Sequence, residues 1–457
     1  MARSTEPRTR AGDPAPRRDA PNGEATPADP QGTGASAETS PSKLGRSVPL
    51  GRTFESLKDS QFRWFYVSML GQMAAMNMQL VVRGYQAFVL TGSYAALGLV
   101  SLAGSLPMLV LSVFGGVAAD RQPRRTVLQA GQFVSMLNAG SLAALSWLGV
   151  MRMEWLLVSA IAHSAVMAMT MPSRQAMIPD IVGHHLMMNA VSLNMAGMNT
   201  MRLFAPAIGG FIVGVAGFGW AFATMAAAFG LACVALTRVT WRAAATPNVA
   251  GESLKTVARN AVRDIADGIR YIRGNRLLSG LLSLSFLSAM FAMPYQFLLP
   301  GYVADIFDGG GIEVGVLMSL SAIGALAGAL VLATIADRNR GMLLFAGTIV
   351  LGIGLLLFAQ TTNYWLAAGF LMLVGLGSSA RQALSQGLLM AHVEDEFRGR
   401  VMAVFMTQVS IMQLSTFFMG TLAELVGIQL VFSALGIGLL LTTAAFMIFV
   451  PRLHRLQ

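Results

Sequence analysis

The 457-residue sequence is poor in most of the groups from which chemistry is built. It has one cysteine, five histidines and only 12% charged residues, against roughly a quarter in an ordinary soluble domain. A single Cys233, set inside an apolar run, excludes a disulfide framework and any thiolate metal site. No Gly-Lys-Ser/Thr sequence occurs, so there is no nucleotide-binding loop to drive an ATP motor. The few histidines and carboxylates fall in no nucleophile–base spacing, which argues against an enzyme; no cofactor or metal is expected. A net charge of +10 suits nucleic acid only if the cations cluster on a solvated face. Here they lie in short gaps between apolar runs, and nucleic acid is not an expected partner.

What the sequence has in abundance is apolar surface, 54% of its residues. One hydrophobic core stops growing near about 250–300 residues, yet apolar runs of about 20 residues, enough to cross a bilayer, recur from Phe62 to Val450. The reading is an all-α membrane protein with twelve transmembrane helices, near 62–90, 94–118, 126–149, 154–172, 188–214, 218–240, 277–301, 312–335, 341–360, 364–391, 400–422 and 427–450. The domains predicted are a disordered cytoplasmic tail (1–60), a six-helix half (61–240), a linker (241–276), a second six-helix half (277–450) and a short C-terminus (451–457).

The tail is rich in Pro, Ala, Gly, Ser and Arg and lacks an apolar core. In the linker, Leu254, Ala258, Val262, Ile265, Ile269 and Ile272 recur at helical steps, predicting an amphipathic helix on the membrane surface, with docking onto a partner the alternative. Arginines gather in alternate gaps (Arg121, Arg124, Arg125; Arg174; the linker; Arg338, Arg340; Arg398, Arg400; Arg452, Arg455), while the opposite gaps hold only Arg152. The positive-inside rule then puts both termini in the cytoplasm of a cell-membrane protein.

The halves look duplicated. Gly98 precedes Asp120 by the same interval as Gly315 precedes Asp337, each aspartate within Ala-Asp-Arg, and Ser173-Arg174-Gln175-Ala176 is echoed by Ala380-Arg381-Gln382-Ala383. Such repeats build midplane sites that open alternately to either side.

Charged groups inside apolar helices are costly and mark candidate sites. Gln72, Gln79, Arg83 and Gln86 share one helical face and predict a polar wall of a wet cavity; Arg83 snorkelling to the interface is the alternative. Asn199 and Arg202 form a second stripe, and Arg381 and Gln382 a third, with the arginines either lining the cavity or bridging helices. His163, central in its segment, can titrate or serve as a hydrogen-bonded structural residue. Cations without membrane carboxylates favour an anionic or electron-rich small molecule. Methionines, 30 in all, suit an adaptable apolar pocket, although packing explains most of them.

The run Gly116-Val-Ala-Ala-Asp120-Arg121-Gln-Pro-Arg124-Arg125 resembles the signature loop of the major facilitator superfamily, G-x-x-x-D-R-x-G-R-[RK], departing from it at Pro123. The copy at Asp337-Arg338 is degenerate. Leu90-Thr91-Gly92-Ser93 with Leu97-Gly98-Leu99-Val100, then Pro172-Ser173-Arg174-Gln175-Ala176 and Phe397-Arg398-Gly399-Arg400-Val401, are similar to the enterobactin-exporter-like branch. Ala205-Pro206-Ala207-Ile208-Gly209-Gly210 resembles the antiporter motif G-P-x-x-G-G, with a helix-packing seam as the plainer explanation.

The resemblance implies the major facilitator fold and a secondary transporter working by alternating access, exporting amphiphilic or anionic small molecules such as a drug-like compound or siderophore. Protons as coupling ion and a monomeric state come with it. The alternatives are an importer of the same fold, a sensor or scaffold, or a lipid scramblase. Physically, Asp120 can latch onto the N-terminus near Gly399-Arg400, and Arg121, Arg124 or Arg125 can pair with Glu394, Asp395 or Glu396.

Overall fold

The computed structural model describes residues 55–121, 123–240, 254–335 and 339–450; within it, side chains at 109–110, 112–121, 176, 179, 183–185, 254–258, 260–262 and 264–265 are outside the description. Among the described residues all regular structure is helical.

A 3-10 turn, Glu55–Lys58, leads into α1, Ser60–Thr91, whose N-terminus is capped by Asp59 Oδ1 accepting from the Gln61 N–H at 2.7 Å. It ends at Gly92, where a φ of 62° places the residue in the left-handed region that stops helices. Next come α2, Tyr94–Arg121, and α3, Arg124–Trp147, which starts directly after Pro123, where a missing N–H costs nothing. The chain continues as α4, Met153–Ala216, and α5, Phe218–Thr237.

At 64 residues α4 is helical where the sequence predicts two helices, at 154–172 and 188–214, with a gap between. It is still two arms. Arg83 of α1 bonds Ser159 on one arm while neighbouring Val82 faces Gly209 on the other. A straight helix would hold those 50 positions about 75 Å apart, so the chain folds back between its two candidate spans, Met153–Val182 and Leu186–Ala216.

The linker forms α6, Leu254–Gly274. It does not present its whole apolar side to lipid. Ile272 is buried, Tyr271 stacks on Phe397 with ring centroids 4.2 Å apart, and Gly268 abuts the Arg400 carbonyl. The C-terminal part of the predicted surface helix is thus docked on the protein itself.

The expected helix 277–301 is broken. α7, Arg276–Ala292, is capped by Asn275 and stops at Met293, because Pro294 lacks the N–H needed to continue; α8 then runs Pro294–Phe307, past the predicted end. α9, Gly311–Thr334, α10, Arg340–Gln360, and α11, Tyr364–Ala391, follow the predicted bounds closely. The expected 400–422 segment is α12, Arg398–Met406, and α13, Gln408–Val426, with a break at Thr407. The last helix is α14, Ile428–Phe449.

Eight described spans are long and apolar enough to cross a membrane, α7 with α8 and α12 with α13 each counting once. Three further long helices, α1, α3 and α11, interrupt their apolar faces with Gln72, Arg83, Gln132 and Arg381, each of which is buried against protein, and α2 counts as apolar over Tyr94–Met108 alone among the described residues.

The helices from α1 to α5 pack on one another, as do those from α7 to α14, and the two groups meet along glycine seams. In α2, a side-chain carbon at Gly98 would sit 2.7 Å from Phe417 Cα of α13; in α9, one at Gly315 would sit 2.7 Å from the Pro206 carbonyl oxygen of α4. These are the two glycines related by the sequence repeat. Each allows close backbone approach at the matching crossing.

Candidate functional site

Two neighbouring cavities lie where the groups meet. The larger, about 350 Å³, is walled by Gln79, Arg83, Ser101, His163 and Ser164 with Leu97, Met108, Met167 and Met171, while α8 and α13 contribute Phe297 and Gln413. The smaller, about 60 Å³, takes Arg202 and Pro206 from α4 and Tyr295, Gln296, Ser321, Ser378, Ser379 and Gln382 from the second group. Asn77 and Leu80, one turn apart on α1, line both. Among the described residues neither wall contains a carboxylate.

Arg83 is only 8% exposed, so it is not snorkelling to an interface. Its Nη2 donates to Ser159 Oγ at 3.1 Å, Asn138 Nδ2 donates to the Ser159 carbonyl at 3.2 Å, and Arg83 Nε has no partner among the described residues. His163 is buried against Phe229, with Nδ1 likewise unpartnered among the described residues. A buried guanidinium costs several kcal/mol unless compensated, and an anion in the larger cavity would supply that compensation.

The sequence stripes separate into lining and bracing residues. Gln79, Arg83 and His163 line the larger cavity, and Arg202 and Gln382 the smaller. Gln72 lines neither: its oxygen accepts from Gln132 Nε2 and its nitrogen faces Met167 Sδ, tying α1 to α3 and α4. Gln86 is likewise spent on Ser146 Oγ at 3.3 Å. Arg381, 2% exposed, bridges α11 to α7 through Ser288 Oγ at 3.4 Å. Asn199 is exposed and lines neither cavity. Helical periodicity gives a shared face but not the depth at which a neighbouring helix closes it over, which is why these four were expected in the cavity.

Of the gating-loop residues, Gly116, Asp120 and Arg121 belong to the last turns of α2 and their surroundings lie outside the described residues, as do Asp337 and Arg338 entirely. Arg124 pairs with Asp180 of α4, Arg125 donates to the Thr237 carbonyl at 3.0 Å, and Asp395 pairs with Arg398 at 2.6 Å. These described pairs join elements of one group, where the sequence reading expected Arg124 or Arg125 to meet residues 394–396. Arg400 stands over the Phe397 ring at 5.3 Å, and its carbonyl faces Gly268.

The antiporter-like motif is a packing seam. Pro206 and Gly210 of α4 lie against α9, where a side-chain carbon on Gly210 would fall into the Gly311 carbonyl oxygen, and Gly209 lies against Met78 and Val82 of α1.

Sequence reading missed the far end of the interface. Tyr94 Oη donates to Asp305 Oδ2 at 2.6 Å and the Ala95 N–H donates to Glu424 Oε1 at 3.1 Å. Asp305 and Glu424 were visible as rare carboxylates near helix ends; their partners on α2 were not. Asn77, Tyr295 and the serines of the smaller cavity were missed because single small polar residues in apolar helices carry no pattern.

A family model described as transmembrane secretion effector matches residues 52–456. The chain belongs to that family of the major facilitator superfamily. Among curated relatives of this chain, the staphyloferrin A transporter of Staphylococcus aureus is 25% identical over 371 residues, 79% of this chain and 90% of that protein. The multidrug efflux pump Tap of Mycolicibacterium fortuitum is 26% identical over 80% of this chain and 90% of its own length. The enterobactin exporter EntS of Shigella boydii is 25% identical over 87% and 93%. Solved folds agree: a peptide transporter of the POT family superposes with a TM-score of 0.69 at 14% identity, over 86% of this chain and 95% of its own. A bacterial homologue of the human lysosomal transporter Spinster, inward-facing and occupied, superposes at 0.67 and 12% identity, over 87% and 96%. The chain is therefore a multi-pass membrane transporter of the major facilitator fold.

Proposed function

We propose that this protein exports amphiphilic or anionic small molecules, of the drug-like or siderophore kind, by alternating access across the cell membrane. The observation that carries the reading is the larger cavity at the meeting of the two helix groups, whose lining combines a guanidinium and side-chain amides with several methionines. The relatives named above, two of them exporters or efflux pumps by name, support outward transport.

On this reading the chain has twelve spans in two halves, 61–240 and 277–450, both termini are cytoplasmic, and the protein acts as a monomer. The contacts between halves at Tyr94–Asp305, Ala95–Glu424 and Gly210–Gly311 gather at the end away from the basic turns. By the positive-inside rule that end is external, so the conformation is closed outside. Energy comes from the proton gradient, with His163 as the proton carrier, since it is the imidazole on a cavity wall with no carboxylate among the described residues.

The test is a panel of anionic and neutral amphiphiles offered to everted vesicles under an imposed proton gradient. Accumulation inside the vesicles supports export. Accumulation only in right-side-out vesicles would make the chain an importer, and indifference to the gradient would remove proton coupling.

A further inference from the structure

Among the described residues, the two cavities each carry one guanidinium and no carboxylate. Arg83 reaches the larger with Nε unpartnered among the described residues, and Arg202 lines the smaller beside Ser378, Ser379 and Gln382. Asn77 and Leu80 line both cavities. Asn77 Nδ2 is already committed to the Met73 carbonyl at 2.8 Å, so this shared lining is a fixed part of α1. A guanidinium is a planar fork of N–H donors that matches an anionic group with two acceptor oxygens. Arg83 is buried with no described counter-charge, while Arg202 stands at an exposed edge of the smaller cavity, so an anionic group at each fork is compensated from two directions, one dry and one open to water.

Resting on the exporter reading, we propose that the two cavities are paired subsites for one substrate that carries two separate anionic groups, such as carboxylates, on an apolar body. Arg83 with Ser159 behind it holds one group, Arg202 with the neighbouring serines holds the other, and the connecting chain crosses α1 at Asn77 and Leu80. The apolar body lies on Met108, Met167 and Met171, whose unbranched side chains adapt to varied shapes. The two arginines then set specificity by charge count, and the methionine wall leaves the body loosely specified.

The test uses a matched pair of fluorescent probes: a dansyl sulfonamide bearing two flexible carboxyalkyl arms, and its half-amide, in which one carboxylate is a primary amide of the same shape. Binding to the full-length protein in nanodiscs is read from dansyl emission with no gradient present. The wild type is expected to bind the two-carboxylate probe more tightly by about tenfold or more, the scale of one charge-assisted pair. Arg202→Gln should bring that probe down to the affinity of the half-amide, and Arg83→Gln should weaken both; Arg83→Lys, which keeps charge but not the fork, should recover part of the loss.

Equal affinity of the two probes for the wild type, no binding of either, or a preference that survives both glutamine variants would overturn the paired subsites. Because Arg202 is exposed, its variant does not depend on core packing and keeps the test valid if Arg83→Gln fails to fold. The outcome is separable from the transport reading. A probe preference as described, with no gradient-driven movement of any substrate, sinks the exporter and leaves the subsites; gradient-driven export with equal probe affinities does the reverse.

Discussion

The Tyr94 hydroxyl at the start of α2 donates to the Asp305 carboxylate near the end of α8, joining two helices that lie 211 positions apart in sequence. One residue on, the Ala95 N–H donates to Glu424 of α13, so two carboxylates of the second helix group grip the same helix N-terminus. The ring of Tyr94 is buried beside Phe88, with centroids 5.1 Å apart, while both carboxylates are exposed.

Asp305→Asn combined with Glu424→Gln should loosen this end. Each contact is charge-assisted but partly screened by exposure, and about 1 kcal/mol apiece shifts the closed-to-open ratio by roughly thirtyfold for the pair. Spin labels at exposed Val89 and Leu425 in a Cys233→Ser background would show a growing long-distance population. An unchanged distance distribution would mean the seam holds without the carboxylates.

Gly210→Ala should be far more damaging than its size implies. Its methyl group meets the Gly311 carbonyl, which is backbone and cannot swing aside, so α4 and α9 must separate at a cost of about 1–3 kcal/mol. Transport should fall at least several-fold, with the same label pair shifted towards the open state. Gly369→Ala in α11, with nothing within 4 Å, is the control and should transport as the wild type does.

Ile272→Asp should detach α6 from α12, because it puts a carboxylate at a 5% exposed position beside Val401 and Val404. Amides of α6 should then lose hydrogen-exchange protection while those of α1 and α10 keep theirs. Retained protection in α6 would show that its anchor lies elsewhere along the helix.

His163→Gln should separate binding from energy coupling. The amide fills similar space against Phe229 and still presents polar atoms to the larger cavity, but it does not carry a proton. Substrate exchange at equilibrium should persist at near wild-type rates while gradient-driven accumulation falls about tenfold or more. Full accumulation in the variant would move the coupling role away from this residue.

The helices were legible because apolar runs of bilayer length, broken by Gly, Pro and arginine-rich gaps, leave few alternatives. Gly92, with a positive φ, stops a helix in the gap the pattern leaves between 90 and 94, whereas Gly427, also with a positive φ, ends its helix four residues beyond the expected 422. The breaks at Met293 and Thr407 were not legible as breaks: Pro294 and Pro300 lie in one run, only the first interrupts the helix, and Thr407 carries no signal at all. The folded-back course of α4 was hidden because residues 173–187 are neither loop-like nor continuous in apolar character.

The candidate site divides in the same way. Arg83 and His163 could be singled out because charge and imidazole are rare and expensive in apolar helices, and both line the larger cavity. Gln72, Gln86 and Arg381 carried the same signal and bond to neighbouring helices instead, although Gln86 Oε1 and Arg381 Nε keep no partner among the described residues, because a buried polar group can bond to a neighbouring helix as well as to a ligand.

By itself the sequence determined the all-helical membrane class, the duplicated glycines and the shortage of internal carboxylates, since each follows from composition and local spacing under the demand that lipid-facing backbone be satisfied internally. Only the tertiary structure decided which polar residues face a cavity, that Gly98 and Gly315 mark equivalent crossings, and that Tyr94 meets Asp305. Those depend on the rotation and depth at which one helix packs on another, set by side chains hundreds of positions away that no local pattern encodes.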